Sequence, residues 1–209
     1  MKKTKAILMA LCAVLLVAAS VMGTLAYLTS TDTVTNTFTV GKVEIKLDEA
    51  AANPDGSLKE GADRVQRNEY KLLPGHTYAK DPMVTVLEGS EKCYVKMTVT
   101  FSKANELDEI FAPNGAGLTS IFNGYDGTNW IYKGNTKVDD TRTYEFWYKE
   151  TVDALNDDVA LDALFDSITV PGTINNAQLA TIAGMTITVN AYAIQADGFT
   201  SDVDAWDHF

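Results

Sequence analysis

The chain is poor in the residues that build metal, redox and nucleophilic chemistry. Its two cysteines, Cys12 and Cys93, cannot supply a disulfide framework in 209 residues. Its two histidines, His76 and His208, leave little material for a zinc site or a His-based catalytic unit. Positive charge is also scarce. Seventeen Lys and Arg face 28 Asp and Glu, a net of −11, which argues against nucleic acid and anionic membrane surfaces as partners. What the chain does have is 46% hydrophobic residues and only 22% charged ones, so general disorder is excluded and a core can be buried. The length suits one β-rich domain.

The first segment reads as a targeting signal. Lys2, Lys3 and Lys5 precede an apolar run from Ala6 to Met22 broken only by Ser20, followed by Gly23, Thr24, Leu25 and Ala26. That order of basic, apolar and small residues is secretory, with Thr24 at −3 and Ala26 at −1 of a cut before Tyr27. The run sits at the lower limit for spanning a bilayer of ~30 Å, and an uncleaved anchor through residues 6–22 is the alternative. Cleavage removes Cys12 and three lysines, leaving 14 basic and 28 acidic residues, a net of −14. Cys93 shares its phase with Val95, Met97 and Val99 and is expected inside the core.

The expected organisation is a signal over 1–26, a strand-forming segment over 27–36 and a β-sandwich domain over 37–209. From Thr29 to Thr39 every second residue is threonine, a strand signal, because alternate side chains share one face. Gly41 lies where the apolar phase slips between Val40 and Val43, a place for a bulge or bend. Residues 48–70 read as an acidic surface loop. Further strands are expected over Tyr94–Phe101, Trp130–Tyr132, Arg142–Tyr148 and Met185–Gln195 from their alternation. Short helices are expected from a Ser102 cap to Phe111 and near Asp158–Phe165. The fold class is all-β: an antiparallel, jelly-roll-like two-sheet sandwich with a few short helices in the connections.

The stretch from Gly23 to Leu47, GTLAYLTSTDTVTNTFTVGKVEIKL, resembles the start of TasA/camelysin-type proteins. The matching positions are Ala26 and Tyr27 at the cut, then Phe38, Gly41, Ile45 and Leu47. Leu72–Val86 (LLPGHTYAKDPMVTV) and Ala191–Phe199 (AYAIQADGF) resemble the same family more loosely. The resemblance implies export through a dedicated signal peptidase of the SipW type, a jelly-roll-like sandwich and assembly into extracellular matrix fibres.

Three functions compete. In the first, the segment from Tyr27 to Asn36, freed by cleavage and poor in large apolar residues, completes the sheet of a neighbouring copy. Its residues Thr29, Thr31, Thr33, Val34 and Thr35 would supply main-chain hydrogen bonds, and head-to-tail repetition gives filaments. The partners are then copies of itself and the signal peptidase, with matrix polysaccharide or an accessory matrix protein besides, and no nucleic acid. The location is the extracellular matrix or cell surface. In the second, exposed aromatics, Trp130 and above all Trp147, make a cell-surface adhesin or carbohydrate-binding module. The third, a camelysin-like metallopeptidase, has the least support. His76 is followed by neither Glu nor a second His, so no catalytic residue, metal ligand or cofactor is assigned. Acidic pairs at Asp139/Asp140 and Asp157/Asp158 lack the spacing of a calcium loop, and Asp157/Asp158 suit a helix cap instead.

Overall fold

The computed structural model describes residues 2–24, 40–111 and 121–209, in two units, 1–39 and 40–209. In the first unit α1 (Lys2–Thr24) carries the three lysines in its first turn and exposes Ile7, Leu8, Met9, Leu11 and Val14. Among the described residues no helix is long and apolar enough to cross a membrane.

The second unit is mainly antiparallel β. In chain order its strands are β1 (Ile45–Asp48), β2 (Thr77–Ala79), β3 (Met83–Val86), β4 (Ser90–Ser102) and β5 (Trp130–Val138). They continue with β6 (Thr141–Tyr148), β7 (Val152–Ala154), β8 (Val159–Ala160), β9 (Ser167–Thr169) and β10 (Ile187–Gln195). Three helices interrupt them: α2 (Ala104–Phe111), α3 (Asn176–Thr181) and α4 (Asp202–Asp207). Three sheets result. A five-stranded one has the order β10-β4-β6-β5 with β7 beside β4, a three-stranded one runs β1-β3-β8, and β2 pairs with β9. The expected antiparallel β architecture is present, as three sheets among the described residues.

β4 is the spine because its thirteen residues alternate almost without fault. Val95, Met97 and Val99 point inward and are fully buried, whereas Lys96, Thr98 and Thr100 lie on the opposite face. Cys93 is buried in the same core as a small apolar residue, and burial pushes its thiol up to about 11. In the same core Tyr144, Phe146 and Phe165 pack edge-on or tilted around Phe122, which lies 4.7 Å from Phe165 and 5.3 Å from Tyr144.

Four local expectations need correction. Ser102 does not cap α2. Asp140, from the β5–β6 hairpin, accepts the Ala104 N–H on its carbonyl (2.9 Å) and the Asn105 N–H on its carboxylate (3.0 Å). A cap from 35 residues away won because Ser102 belongs to β4 and its hydroxyl accepts from the Thr186 N–H. No helix spans 158–165. The Leu161 N–H donates to the Val84 carbonyl and the Leu164 N–H to Pro82, so the segment runs extended along β3 while still burying Leu161, Leu164 and Phe165. Asp158 therefore caps nothing helical and accepts the Glu88 N–H at 2.7 Å. Residues 48–70 are no plain surface loop, because Asp48, Glu49, Ala51 and Ala52 are buried.

Candidate functional site

Every strand ladder ends somewhere, and what covers each end decides where another chain can bind. Among the described strands longer than four residues, β4 and β6 have neighbours on both sides, while β5 and β10 each keep one free edge. The β5 edge is defended. Its pairing with β6 is broken by a bulge between Tyr132 and Gly134, and it carries Lys133 and Lys137. The short β1 edge is covered. Val65 and Glu49 exchange N–H and carbonyl groups at 2.8 Å, and the Gln66 amide donates to the Leu47 carbonyl at 3.4 Å. The β10 edge has none of these devices. Its nine residues, ITVNAYAIQ, hold no charge and no proline, and their register with β4 is unbroken from Ile187 to Gln195.

The ladder also fixes which groups are free. Ser102 donates to the Thr186 carbonyl and Ala196 donates to the Lys92 carbonyl, so the even-numbered residues of β10 exchange bonds with β4. Ile187, Val189, Ala191 and Ala193 therefore turn their N–H and carbonyl groups to the unpaired side. Their side chains face the core, yet all four are only half-buried, whereas their partners Val99, Met97 and Val95 are sealed. Across from them Val43, Ile45 and Leu47 are half-buried too. The core is thinnest along this seam.

β1 and β10 flank the seam in opposite directions. Asp48 and Thr188 line one end, while Lys42 and Ala196 bond to the adjacent residues Glu91 and Lys92 at the other. Among the described residues no backbone hydrogen bond joins the two strands. The first end opens into a cleft of about 250 Å³ lined by Leu47, Asp48 and Glu49 on one side and Ile187, Thr188 and Val189 on the other. Lys80, Arg67 and Asn68 complete its polar part.

A charge network stiffens that end. Lys80 Nζ lies 2.6 Å from Glu49 with both side chains 9% exposed, and Asn68 donates to the other Glu49 oxygen at 2.9 Å. Arg64 bridges Asp48 at 2.5 Å and Asp81 at 2.8 Å and also donates to both their backbone carbonyls. Burial raises the Asp48 pKa, but hydrogen bonds from Lys46 and Arg64 outweigh it and hold the carboxyl below its ordinary value. This arrangement binds backbone and orients polar side chains. Among the described residues no group of three or more His, Cys, Asp or Glu is placed to hold a metal ion.

The residues singled out from sequence fall in three places. Thr24 is the last residue of α1. Ala26, Tyr27, Thr29, Thr31, Thr33, Val34 and Thr35 lie outside the described residues. Trp130 and Trp147 are described, and neither is an exposed platform. Trp130 is fully buried in phase with Phe146, its indole N–H donating to the Asp162 carbonyl at 2.9 Å. Trp147 does sit on the outer face, as its phase demands, but it is only 9% exposed. The reason is α4, which lays Trp206 6.1 Å from Trp147, while Lys133 covers the indole at 3.9 Å.

Sequence reasoning missed α4. The tail reads as acidic, yet Ser201 with Asp204 three residues on is a helix start, and the Ser201 hydroxyl accepts the Asp204 N–H at 3.1 Å. Trp206 and Phe209 follow as its apolar side, and Lys96 sits among the rings of Tyr192, Trp206 and Phe209 at 5.6, 4.4 and 5.0 Å. His208 is held by the same helix, its Nδ1 2.8 Å from the Asp204 carbonyl oxygen.

Comparison with known proteins finds no matching family model, no matching curated protein and no matching solved structure.

Proposed function

We propose that this is a secreted structural protein that polymerises by strand exchange, residues 27–36 of one copy pairing with the free edge of β10 in the next. The observation that carries this reading is the contrast between the two long free edges. β5 is bulged and lysine-bearing, whereas β10 is uncharged, regular and nine residues long, close in length to the ten-residue segment. Main-chain bonds to Ile187, Val189, Ala191 and Ala193 would give affinity, and the thinly covered seam would gain an apolar lid. The added strand would also extend the five-stranded sheet, which we read with the three-stranded one as the two layers of a jelly-roll-like sandwich.

The leader supports export. Its lysines, apolar helix and small residues at Thr24 and Ala26 fit cleavage before Tyr27 by a dedicated signal peptidase, with the product bound for the extracellular matrix or cell surface. The strand is then released only on export, so assembly waits until the chain is outside. Repetition of a head-to-tail contact does not close and yields filaments. Matrix polysaccharide or an accessory matrix protein would meet the finished polymer. Peptidase chemistry has no place in this reading.

Electron microscopy of the product exported from the full chain tests it. Filaments are expected from the unaltered protein and none from a variant lacking residues 27–34 that keeps the same circular dichroism. Normal filaments from that variant would overturn the reading.

A further inference from the structure

The seam also selects which face of the strand it takes, an inference that rests on the strand-acceptor reading above. The two faces of the segment from Thr29 to Thr39 differ sharply. One is all threonine; the other carries Ser30, Asp32, Val34, Asn36 and Phe38, and so holds both large apolar residues. The two faces of the acceptor sheet differ in the same way. Beside the free edge the inner face presents Ile187, Val189, Ala191 and Ala193 with their half-covered apolar surface. At the Ile187 end the outer face presents Thr188 and Asn190 in register with Thr100 and Thr98, with Tyr192 and Ile194 following further along. Thr100 in turn shares a 2.9 Å hydroxyl hydrogen bond with Thr143 on β6.

We propose that the incoming strand seats Val34 in the seam and turns its threonines outward, continuing a threonine-lined surface across three strands. Residues opposite one another in a ladder share a face, so Val34 must lie opposite an odd-numbered residue of β10. A one-residue slip would reverse every side chain, exposing Val34 and burying a row of hydroxyls against Val189 and Leu47. Cross-strand threonine pairs favour the outward face as well. The seam thus acts as a specificity filter for a strand that presents an apolar residue flanked by polar ones on its inward face.

Paired cysteine variants of the exported chain test the facing. Copies carrying Val34→Cys are mixed with copies carrying Val189→Cys, Ala191→Cys or Ala193→Cys, oxidised during growth, and run without reductant. Cys93 is buried with a raised thiol pKa and stays silent. A covalent dimer is expected with at least one of the three acceptors, and Thr33→Cys should give none with any. Alongside, Val34→Asp should slow filament growth at least tenfold, and at least threefold more than Thr33→Asp does. If Thr33→Cys links and Val34→Cys does not, the facing is reversed and overturned, while strand addition at β10 survives. If filaments grow but neither position links to β10, the acceptor lies elsewhere and both readings fall.

Discussion

The ammonium of Lys96 lies 4.4 Å from the ring centroid of Trp206, on the face of β4 opposite the core. With Tyr192 and Phe209 it forms a cation enclosed by three rings, and it fastens the last helix across the five-stranded sheet. This contact explains why Trp147, on the solvent side by phase, is nearly buried. It also ties the C-terminal segment to β10, to which Tyr192 belongs.

Lys96→Met should therefore loosen α4 without unfolding the domain. The lost attraction is about 0.5–2 kcal/mol, the upper end applying where the cation is well covered. Tryptophan fluorescence should shift to the red and near-ultraviolet circular dichroism should weaken, with the far-ultraviolet signal unchanged. A variant whose Trp206 and Trp147 spectra match the parent's would show that packing alone holds the helix.

The buried pair at the end of the seam predicts an asymmetry between single and double variants. Lys80→Met leaves the Glu49 carboxylate, 2.6 Å away, buried with Asn68 as its remaining side-chain partner, and should cost about 3–5 kcal/mol. Adding Glu49→Gln removes the stranded charge and keeps an amide for Asn68, so the double variant should recover more than half of that loss. Denaturant melts of the three proteins decide it. A double variant no better than the single one would mean that the ion pair is stabilising in its own right.

Acidity should act on assembly and on the fold in opposite directions. Cleavage before Tyr27 would leave subunits with a net of −14 that repel one another, and protonating carboxylates near a pKa of ~4 would relieve that repulsion, so filament growth should rise as pH falls from 7 towards about 4.5. The fold responds lower down. Hydrogen bonds and charges from Lys46 and Arg64 hold Asp48 below the ordinary 3.8 against the opposing effect of burial, and Lys137 and Arg142 do the same for Asp108. A lowered folded pKa means the unfolded chain takes up protons first. The stability from these pairs is then complete above about pH 5 and drains as pH falls through the folded values. Light scattering and thermal melts across pH 2–7 should show growth peaking before stability collapses. Stability that increases steadily down to pH 2 would contradict the assignment.

What the sequence made legible was the period-two pattern. β4, β6 and β10 stand where alternation placed them because each buries one face, and that face is written in every second residue. What it hid was settled by distant partners. Leu161, Leu164 and Phe165 carry helical spacing yet run extended, because the carbonyls of Val84 in β3 and of Pro82 just before it accept the Leu161 and Leu164 N–H groups. Asp140 caps α2 across a hairpin, and Glu49 finds Lys80 31 residues on. Neither spacing leaves a local trace. The unpaired β10 edge was invisible for a different reason: an undefended strand is defined by what its neighbours lack, and the neighbours are known only once the sheet order is.

Proline substitutions along β10 separate the free edge from the ladder that holds the sheet together. Ala191 turns its N–H to the unpaired side, so Ala191→Pro removes a hydrogen bond only from an incoming strand, and edge positions of this kind tolerate proline. Asn190 sits one residue away with its N–H committed to β4, so Asn190→Pro removes a ladder bond and forces the ring against β4. Ala191→Pro should therefore keep a melting temperature within a few degrees of the parent while filament growth falls at least tenfold. Asn190→Pro should destabilise the domain by about 3 kcal/mol or more. The same logic applies to the donor, where Val34→Pro should block growth and leave the monomer's stability unchanged. If Ala191→Pro filaments grow at the parental rate, no strand pairs at that edge. If it unfolds as Asn190→Pro does, the assignment of its N–H to the free side is wrong, and the acceptor ladder must be redrawn one residue over.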